Sequence, residues 1–301
     1  MNLIDYPPFG PCLRLANDQV EVLITTAFGP RIIRYGFIEG ENEFAELLDP
    51  TQPLDPTQWH IYGGHRLWHA PETRPRTYMP DNQPVTYESL PGGVRLTQPV
   101  EPLTGIQKSL EVALAPEGSR VRVIHRLCNQ GMWEIELAAW ALSVMAPGGC
   151  AILPLPPKAP HETHLLPVSA LVLWAYTDLS DPRWSLGRSY ILARQDPLRA
   201  TAQKIGLHTP FGWAAYARRG HLFLKRFEYH PEATYPDWGS TVEVFVNDRF
   251  LELETLSPLT RLSPGASLEH VEDWYLFDEV PTPHNDQQVE RHILPRLLET
   301  G

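Results

Sequence analysis

The sequence lacks the features that mark several common protein classes. Its three cysteines are an odd number without CxxC spacing, so neither a disulfide framework nor a cysteine-ligated zinc site is indicated. With 25 basic against 36 acidic residues and a net charge of −11, a nucleic-acid partner is disfavoured, because phosphate binding depends on clustered Lys and Arg. No apolar run approaches the roughly 20 residues of a membrane span, and no basic segment precedes an apolar one at the N-terminus. We therefore expect no membrane partner and a cytoplasmic location.

Proline and glycine, by contrast, are abundant, and they divide the chain into short segments. The 31 prolines and 20 glycines separate stretches that are rich in β-branched and aromatic residues and alternate with a period of two. This pattern predicts an all-β protein, a large antiparallel sandwich. Representative stretches are VEVLITT at 20–26, RIIRYGFI at 31–38, RVRVIHRL at 120–127 and ALVLWAYT at 170–177, with hairpin turns at 91–93, 219–220 and 247–249.

Two further features concern organisation. No low-complexity linker or fixed-period repeat divides the chain, so we expect one domain over residues 1–301, with a long loop at 153–167. Only NDQQVERHILPRLLE at 285–299 has a helical pattern, and Pro295 interrupts it. The sequence therefore predicts a short C-terminal helix as an addition to the sheets.

The hairpin formed by TVEVFV and FLELET has two unlike faces. Alternation places the three valines of the first strand on one face and Glu243 on the other, while Glu252 and Glu254 share the corresponding polar face of the second strand. Same-face neighbours lie about 6.6 Å apart along a strand, so both glutamates could contact one small ligand. Alternatively, this face simply meets water, as one face of many antiparallel sheets does.

Three stretches resemble galactose mutarotases (aldose 1-epimerases). LETLSPLTRLSPGASLEHVEDWYLF at 253–277 is similar to their C-terminal signature, and EVLITTAFGPRIIRYGF at 21–37 to their first strand pair. GGHRLWHAPE at 63–72 occupies the place of a sugar-binding loop that contains glycine and histidine. With PDWGSTVEVFVN and LELETLSPL, the GGHRLW motif is closer still to a mutarotase-like family that carries it. The resemblance implies a galactose mutarotase-like β-supersandwich with a sugar site across its concave face.

The resemblance also implies a mechanism. Exchange of anomers requires a base at the anomeric hydroxyl and an acid at the ring oxygen. The base of mutarotases is the glutamate of the Leu-Glu-Thr strand, which corresponds to Glu254. The family's acid is a histidine, whereas the corresponding segment here, CNQGMWEIELAAWALSVMAPGG, has Trp140 at that place. Tryptophan cannot supply the proton, so another residue would have to be the acid.

His65 is the candidate for that acid. It corresponds to the family's other substrate-binding histidine, its imidazole titrates near neutrality, and the two glycines before it would allow a ligand to approach. Alternatively, His65 orders its loop by hydrogen bonding to the backbone. His69 follows four residues later, a zinc-binding spacing on a helix, but the surrounding prolines and glycines oppose a helix and no third ligand is near. We therefore expect no metal and no cofactor, and we assign His69 to substrate binding.

Several other residues are candidates for substrate binding. Arg66 could clamp a carboxylate or phosphate, or pair with Glu72 or Glu254. Trp68 could stack on a sugar ring or fill the core. Lys204 stands among apolar and small residues and could bind an anion, or be a solvated strand-end lysine. Together Arg66 and Lys204 predict a preference for anionic sugars. The set is completed by Glu243 and Glu252, whereas Asp237 in YPDWGS is interpreted as a turn former.

The sequence thus predicts a carbohydrate-active protein of the mutarotase type. It would act at the anomeric centre of an aldose or sugar phosphate, with Glu254 as base and His65 as acid within roughly 10 Å across an open groove. The alternative is a sugar-binding protein that has lost the acid histidine and catalyses nothing. A lyase or hydrolase is a third possibility, because fold does not fix function. The partner in each case is a small sugar or sugar derivative, and the oligomeric state is left open.

Overall fold

The structure, a computed structural model, describes residues 1–49, 51, 55 and 57–300. The described residues are 44% strand and 5% helix, far below the roughly 30% helix of an average globular protein, which confirms the predicted all-β class. The strands, numbered in chain order, are β1 (Asn2–Asp5), β2 (Pro11–Ala16), β3 (Val20–Thr25), β4 (Arg31–Phe37), β5 (Gly64–Ala70), β6 (Thr86–Leu90), β7 (Gly93–Thr97), β8 (Ile106–Leu114), β9 (Val121–Asn129), β10 (Ile135–Met145), β11 (Cys150–Pro154), β12 (Leu171–Leu173), β13 (Trp184–Leu186), β14 (Tyr190–Arg194), β15 (Gln203–Leu207), β16 (Trp213–Arg218), β17 (His221–Phe227), β18 (Val242–Val246), β19 (Leu251–Leu256), β20 (Thr260–Leu262) and β21 (Ser267–Phe277).

The strands form two antiparallel sheets. The first has eleven strands in the order β1-β2-β3-β4-β5-β10-β19-β18-β15-β12, with β20 paired to β10. The second has ten strands in the order β13-β14-β11-β16-β17-β21-β9-β8-β7-β6. A large apolar core lies between them and includes Val22, Leu110, Tyr216, Leu253 and Trp274. This is the predicted large antiparallel sandwich.

In the described part of the chain, three short segments are α1 (Pro236–Gly239), a single turn whose two central residues have positive φ, and the helices α2 (Asp286–His292) and α3 (Leu294–Leu298). The Asn285 side chain caps α2 by accepting a hydrogen bond from the backbone N–H of Gln288 at 3.0 Å. The predicted C-terminal helix is therefore present, and it is interrupted beside Pro295, as expected for a residue without a backbone N–H. Among the described residues, no helix is long and apolar enough to cross a membrane.

The predicted strands differ from the observed ones at two places. Only Leu171–Leu173 of the stretch 170–177 is a strand, at the edge of the first sheet. GGHRLWHAPE, interpreted as a loop, contains the buried strand β5 in the middle of that sheet. Its two glycines have positive φ, and a Cβ would lie 1.9 Å from the Ala45 carbonyl oxygen at Gly63 and 2.4 Å from that of Ile32 at Gly64. They allow close backbone packing rather than the approach of a ligand.

A polar network crosses the core between the sheets. Lys225 Nζ lies 2.9 Å from Glu272 Oε1 and donates to the carbonyl oxygen of Leu253 at 3.2 Å. Thr255 donates to Glu272 at 2.5 Å, so its oxygen is an acceptor for His270 Nε2 at 2.7 Å. Because buried polar groups are costly unless they are hydrogen-bonded, this network fixes how the two sheets face each other.

The network predicts loss of stability in acid. Burial lowers the pKa of His270 to about 3, so as pH falls below about 6.5 the unfolded chain binds this proton before the folded protein does. The free energy of unfolding should therefore decrease by about 1.4 kcal/mol per pH unit from this residue alone, down to the folded-state pKa. His270→Gln, which keeps an N–H donor, should make the decrease between pH 6.5 and 4.5 shallower by that amount in urea unfolding. The control is His161→Gln in the exposed loop; equal slopes in both variants would contradict the assignment.

Candidate functional site

Strand register decides which face of the first sheet each candidate residue occupies. Arg66 of β5 lies opposite Leu142 of β10, which lies opposite Glu254 of β19, which lies opposite Glu243 of β18. Directly opposed residues in antiparallel strands point to the same face. This row faces away from the second sheet. A second row on the same face runs from Glu252 through Phe245 to Lys204.

A groove lies on that outer face. Its volume is about 210 Å³, below the roughly 300–1,000 Å³ of sites for drug-sized ligands, so it suits a molecule the size of one sugar ring. Half of its lining is aromatic. The lining residues are Trp59, Ile61, Arg66, Trp68, Glu72, Tyr78, Trp140, Leu142, Tyr176, Lys204, Phe245, Asn247, Phe250 and Glu252.

Arg66 is fixed in the groove by charge and by aromatic rings. Its Nη2 lies 2.9 Å from Glu252 Oε1, and its guanidinium lies 4.5 Å from the Trp68 ring centre and 5.3 Å from that of Trp59. Glu72 and Glu254 were the ion-pair partners expected from the sequence, and the observed partner is Glu252. The Nε and Nη1 atoms of Arg66 are buried and have no hydrogen-bond partner among the described residues. Arg66 therefore has donors whose hydrogen-bonding capacity the described residues do not use.

Lys204 holds a second cluster of charges. Its Nζ lies 2.7 Å from Glu243 Oε2 and 3.1 Å from Glu254 Oε2, and 4.5 Å from the Trp140 ring centre. Trp140 Nε1 donates to the same oxygen of Glu254 at 2.8 Å. Lys204 is thus a buried, ion-paired residue within strand β15 and not a solvated strand end.

Glu254 is sealed beneath this cluster. It has no exposed surface and is not among the groove's lining residues, whereas Glu252 lines the groove and keeps 8% of its surface exposed. Trp140, in the place where the resemblance implies the acid, donates a hydrogen bond to the candidate base. Of the two glutamates on β19, the one that a ligand can reach is therefore Glu252, which lines the groove together with the exposed Glu72.

Burial dominates the ionisation of the cluster. It raises the pKa of Glu254 and raises that of Glu243 well above its usual range, although Lys204 opposes both shifts. Burial alone would lower the pKa of Lys204, but its two carboxyl partners outweigh that effect and raise it. Lys204 is therefore charged near neutral pH, and its charge offsets part of the cost of burying the two carboxyl groups.

His65 does not face Glu254, so that prediction is wrong. Adjacent residues of a strand point to opposite faces, and since Arg66 faces the groove, His65 faces the core between the sheets. His125 Nδ1 lies 2.8 Å from the His270 carbonyl oxygen and must donate, which leaves its Nε2 as acceptor. His65 Nε2, 2.6 Å away, therefore donates to it, and His65 Nδ1 accepts from Ser143 Oγ at 2.8 Å.

This environment removes His65 from the groove's chemistry. Both of its nitrogens are engaged, and burial, reinforced by the charge of Lys225, holds the pKa of His65 well below its usual range. It is neutral and has no surface in contact with solvent. The alternative interpretation was that His65 orders its own segment by hydrogen bonding. The observed position agrees better with that interpretation, although the partners of His65 are side chains and not backbone groups.

His69 also points away from the groove, because it shares the face of His65. It is buried, and its Nε2 lies 3.3 Å from Glu101 Oε2. Lys108 Nζ pairs with the other Glu101 oxygen at 2.6 Å. The assignment of His69 to substrate binding is therefore wrong for the same reason of strand alternation.

One group of described residues has metal-ligand geometry: ligand atoms of His65, His125 and Glu272 lie within 4.8 Å of one another. Glu272 already accepts hydrogen bonds at Oε1 from Lys225 and Thr255 and at Oε2 from the Trp274 indole at 2.7 Å. A divalent ion would have to compete with these hydrogen bonds and with the nearby Lys225 ammonium. Hydrogen bonding and the ion pair account for this group without a metal.

Several groove residues were missed by the sequence analysis. Trp59 and Tyr78 pack against Trp68 with ring centres 5.1 and 5.0 Å apart, and Tyr176 adds a half-exposed phenol. The signal was the unusual density of aromatic residues immediately before β5 and after β12. Trp68 packs against neighbouring rings, as a core residue does, and also lines the groove, so its stacking on a sugar stays a prediction.

The fold is shared with solved structures of galactose mutarotase-like proteins. A candidate aldose 1-epimerase from Klebsiella pneumoniae is 13% identical, with a TM-score of 0.59 over 96% of this chain and 83% of that one. A galactose mutarotase-like protein from Lactobacillus casei is 11% identical, with a TM-score of 0.54 over 88% of this chain and all of that one. No protein-family model and no curated protein matches the sequence. These likenesses establish a galactose mutarotase-like β-sandwich fold.

Removal of Lys204 should destabilise the folded protein, because the two buried carboxyl groups lose their ion-pair partner. Lys204→Met leaves two buried glutamates without a counter-charge, so we expect a loss of about 3–5 kcal/mol of unfolding free energy near pH 7.5. Their folded-state pKa values are raised, so the unfolded chain releases these protons first as pH rises above about 4.5, and the deficit should shrink toward pH 5. Urea unfolding at both pH values measures this.

The matched control is Lys204→Met combined with Glu243→Gln, which removes the lysine together with one of its two buried carboxyl partners. It should recover much of the stability at pH 7.5. If Lys204→Met alone were as stable as the parent at both pH values, the stabilising role of Lys204 would be contradicted.

Proposed function

We propose that this protein binds one sugar, or the sugar ring of a larger molecule, in the groove on the outer face of the first sheet. The observation that carries the proposal is the combination, in a space of about 210 Å³, of aromatic rings with the Arg66–Glu252 ion pair. The ligand class comes from the fold's likeness to proteins named galactose mutarotase-like.

The groove offers what a sugar ring needs. Aromatic faces pack against the C–H surface of a pyranose. The side chains of Trp68 and Tyr176 each combine an aromatic ring with one polar group, which suits a ligand that has both C–H surfaces and hydroxyl groups. Arg66 supplies donors, and Glu252 and Asn247 supply acceptors, for the hydroxyl groups around the ring.

The contacts also bear on the charge of the ligand. A preference for anionic sugars was expected from the sequence because Arg66 and Lys204 are cations in a protein with a net negative charge. Arg66 is paired with Glu252, and Lys204 with Glu243 and Glu254. Because each cation already has its counter-charge, we favour an uncharged sugar over a phosphate or a uronate.

Catalysis of anomer exchange is the second candidate. It is favoured by Glu254, which occupies the strand position of the implied base and whose Oε1 has no hydrogen-bond partner among the described residues. Against it stand the burial of Glu254 and the absence of histidine from the groove's described lining. The Tyr176 phenol, whose pKa burial raises to about 12, is a weak acid near neutral pH. Binding without catalysis is therefore the better-supported function.

Glu252→Gln tests the binding proposal. It removes the carboxylate that pairs with Arg66 while keeping the shape of the side chain, and loss of one charged hydrogen bond should weaken the binding of a neutral aldose about tenfold. Saturation-transfer NMR with D-galactose, D-glucose and their 6-phosphates would identify the ligand and measure the change. Glu269→Gln, an exposed glutamate on β21 of the second sheet, is the matched control and should bind as the parent does. Equal weakening in both variants, or no binding to the parent, would refute the proposal.

Exchange spectroscopy in the same samples separates binding from catalysis. We expect the protein to leave the rate of anomer exchange at its spontaneous value, since Glu254 is buried and the described lining of the groove contains no histidine. An accelerated rate that falls by about 10²-fold or more in Glu254→Gln would instead establish Glu254 as a catalytic base.

A further inference from the structure

Trp238 is the most exposed tryptophan of the described residues, with 87% of its surface in contact with solvent. It belongs to α1, the turn Pro236–Gly239, which we name the rim turn. No ring contact or cation–π contact of Trp238 occurs within the described chain. The packing of the folded protein therefore does not explain why this position carries an indole.

The backbone of the rim turn is strained. Asp237 has φ 47° and Trp238 φ 57°, and Gly239 follows with φ 96°. The left-handed conformation costs roughly 1–2 kcal/mol for each residue that has a side chain. Asp237 and Trp238 in succession therefore make this turn conformationally unfavourable. The strain is held from one side by Ser240, whose Oγ donates to the Asp237 carbonyl at 2.9 Å, and from the other by His208 Nδ1, 2.9 Å from the Gly239 carbonyl oxygen.

The rim turn stands beside the groove. It leads directly into β18, whose Glu243 pairs at 2.7 Å with Lys204 of the groove lining. Ser240, which follows the turn, lies against Gly206 of β15, two residues from Lys204. Asp237, interpreted from the sequence as a turn former, is in this turn, and burial raises the pKa of its carboxyl group. Trp238 is therefore carried by a segment anchored at the groove's edge.

We propose that Trp238 forms a second subsite, which stacks against a ring attached to the sugar in the groove. The ligand would then be a glycoside, either an oligosaccharide or a sugar with an aromatic substituent at its anomeric carbon. This inference rests on the proposed sugar-binding function. It agrees with the sealed position of Glu254, because a glycoside has no free anomeric hydroxyl and requires no base to open its ring.

Calorimetric titration with three probes tests the subsite: D-galactose, methyl β-D-galactopyranoside and 4-nitrophenyl β-D-galactopyranoside, with the glucose series in parallel. An aromatic stacking contact corresponds to about a fivefold gain in affinity, so the parent should bind the aryl glycoside about fivefold more tightly than the methyl glycoside. Trp238→Ala should abolish that difference and leave the affinity for the methyl glycoside within about twofold. Trp238→Phe should restore most of it.

Trp133→Ala is the matched control, since Trp133 is also an exposed indole, at 77%, and belongs to the connection between β9 and β10 rather than to the rim turn. It should retain the preference for the aryl glycoside. Equal binding of aryl and methyl glycosides by the parent, or a preference that survives in Trp238→Ala, would overturn the subsite while leaving monosaccharide binding intact. A parent that binds none of the probes would overturn the sugar-binding function together with the subsite.

Discussion

The register between β5, β10 and β19 is the constraint on which both the core and the groove depend. Because Arg66 is opposite Leu142 and Leu142 is opposite Glu254, one face of these strands carries the groove's charges while the other carries His65, Ser143 and the apolar core. A shift of one residue would exchange the two sets, placing guanidinium and carboxylate groups between the sheets. The closely packed Gly63 and Gly64, where any side chain would collide with backbone, help to exclude that shift.

Two buried lysines hold β19 from its opposite faces. On the outer side, Lys204 pairs with Glu254 of this strand; on the inner side, Lys225 donates to the carbonyl oxygen of Leu253 while pairing with Glu272. Both lysines are almost entirely buried, so the stability of each charged ammonium depends on its carboxylate partners. The charge that organises the groove and the charge that organises the core thus act on neighbouring residues of one strand.

The fold was accessible from the sequence because its determinants are local. Period-2 alternation, the Arg219–Gly220 turn, in which both residues have positive φ, and the helical pattern before Pro295 each specify structure over a few residues. Alternation likewise placed Glu243, Glu252 and Glu254 on one face. The misplacement of His65 and His69 came from treating GGHRLWHAPE as a loop, where neighbours can point the same way; once the segment is a strand, Arg66 and His65 must point apart.

Which side chains pair across the groove could not be derived from the sequence, because pairing depends on register between strands far apart in the chain. Arg66 and Glu252 are separated by 186 residues, and Trp140 and Glu254 by 114. No local pattern encodes that Glu252 rather than Glu254 reaches the groove. The difference follows from Lys204 and Trp140, which cover one glutamate and leave the other beside Arg66.

Replacing an imidazole by an indole changes what a neighbouring carboxylate can do. An imidazole can donate and accept a proton near neutral pH, whereas the indole of Trp140 only donates a hydrogen bond and never transfers its proton. Here that hydrogen bond ends on Glu254, together with the Lys204 ammonium, and both favour the carboxylate's charge within a site where burial opposes it. Burial thus keeps the pKa of Glu254 above its usual range, while the two donors hold its carboxyl group in place. The resemblance to epimerases implies an acid–base pair around a sugar at these positions, whereas in this chain Trp140 and Glu254 are hydrogen-bonded to each other beside the groove.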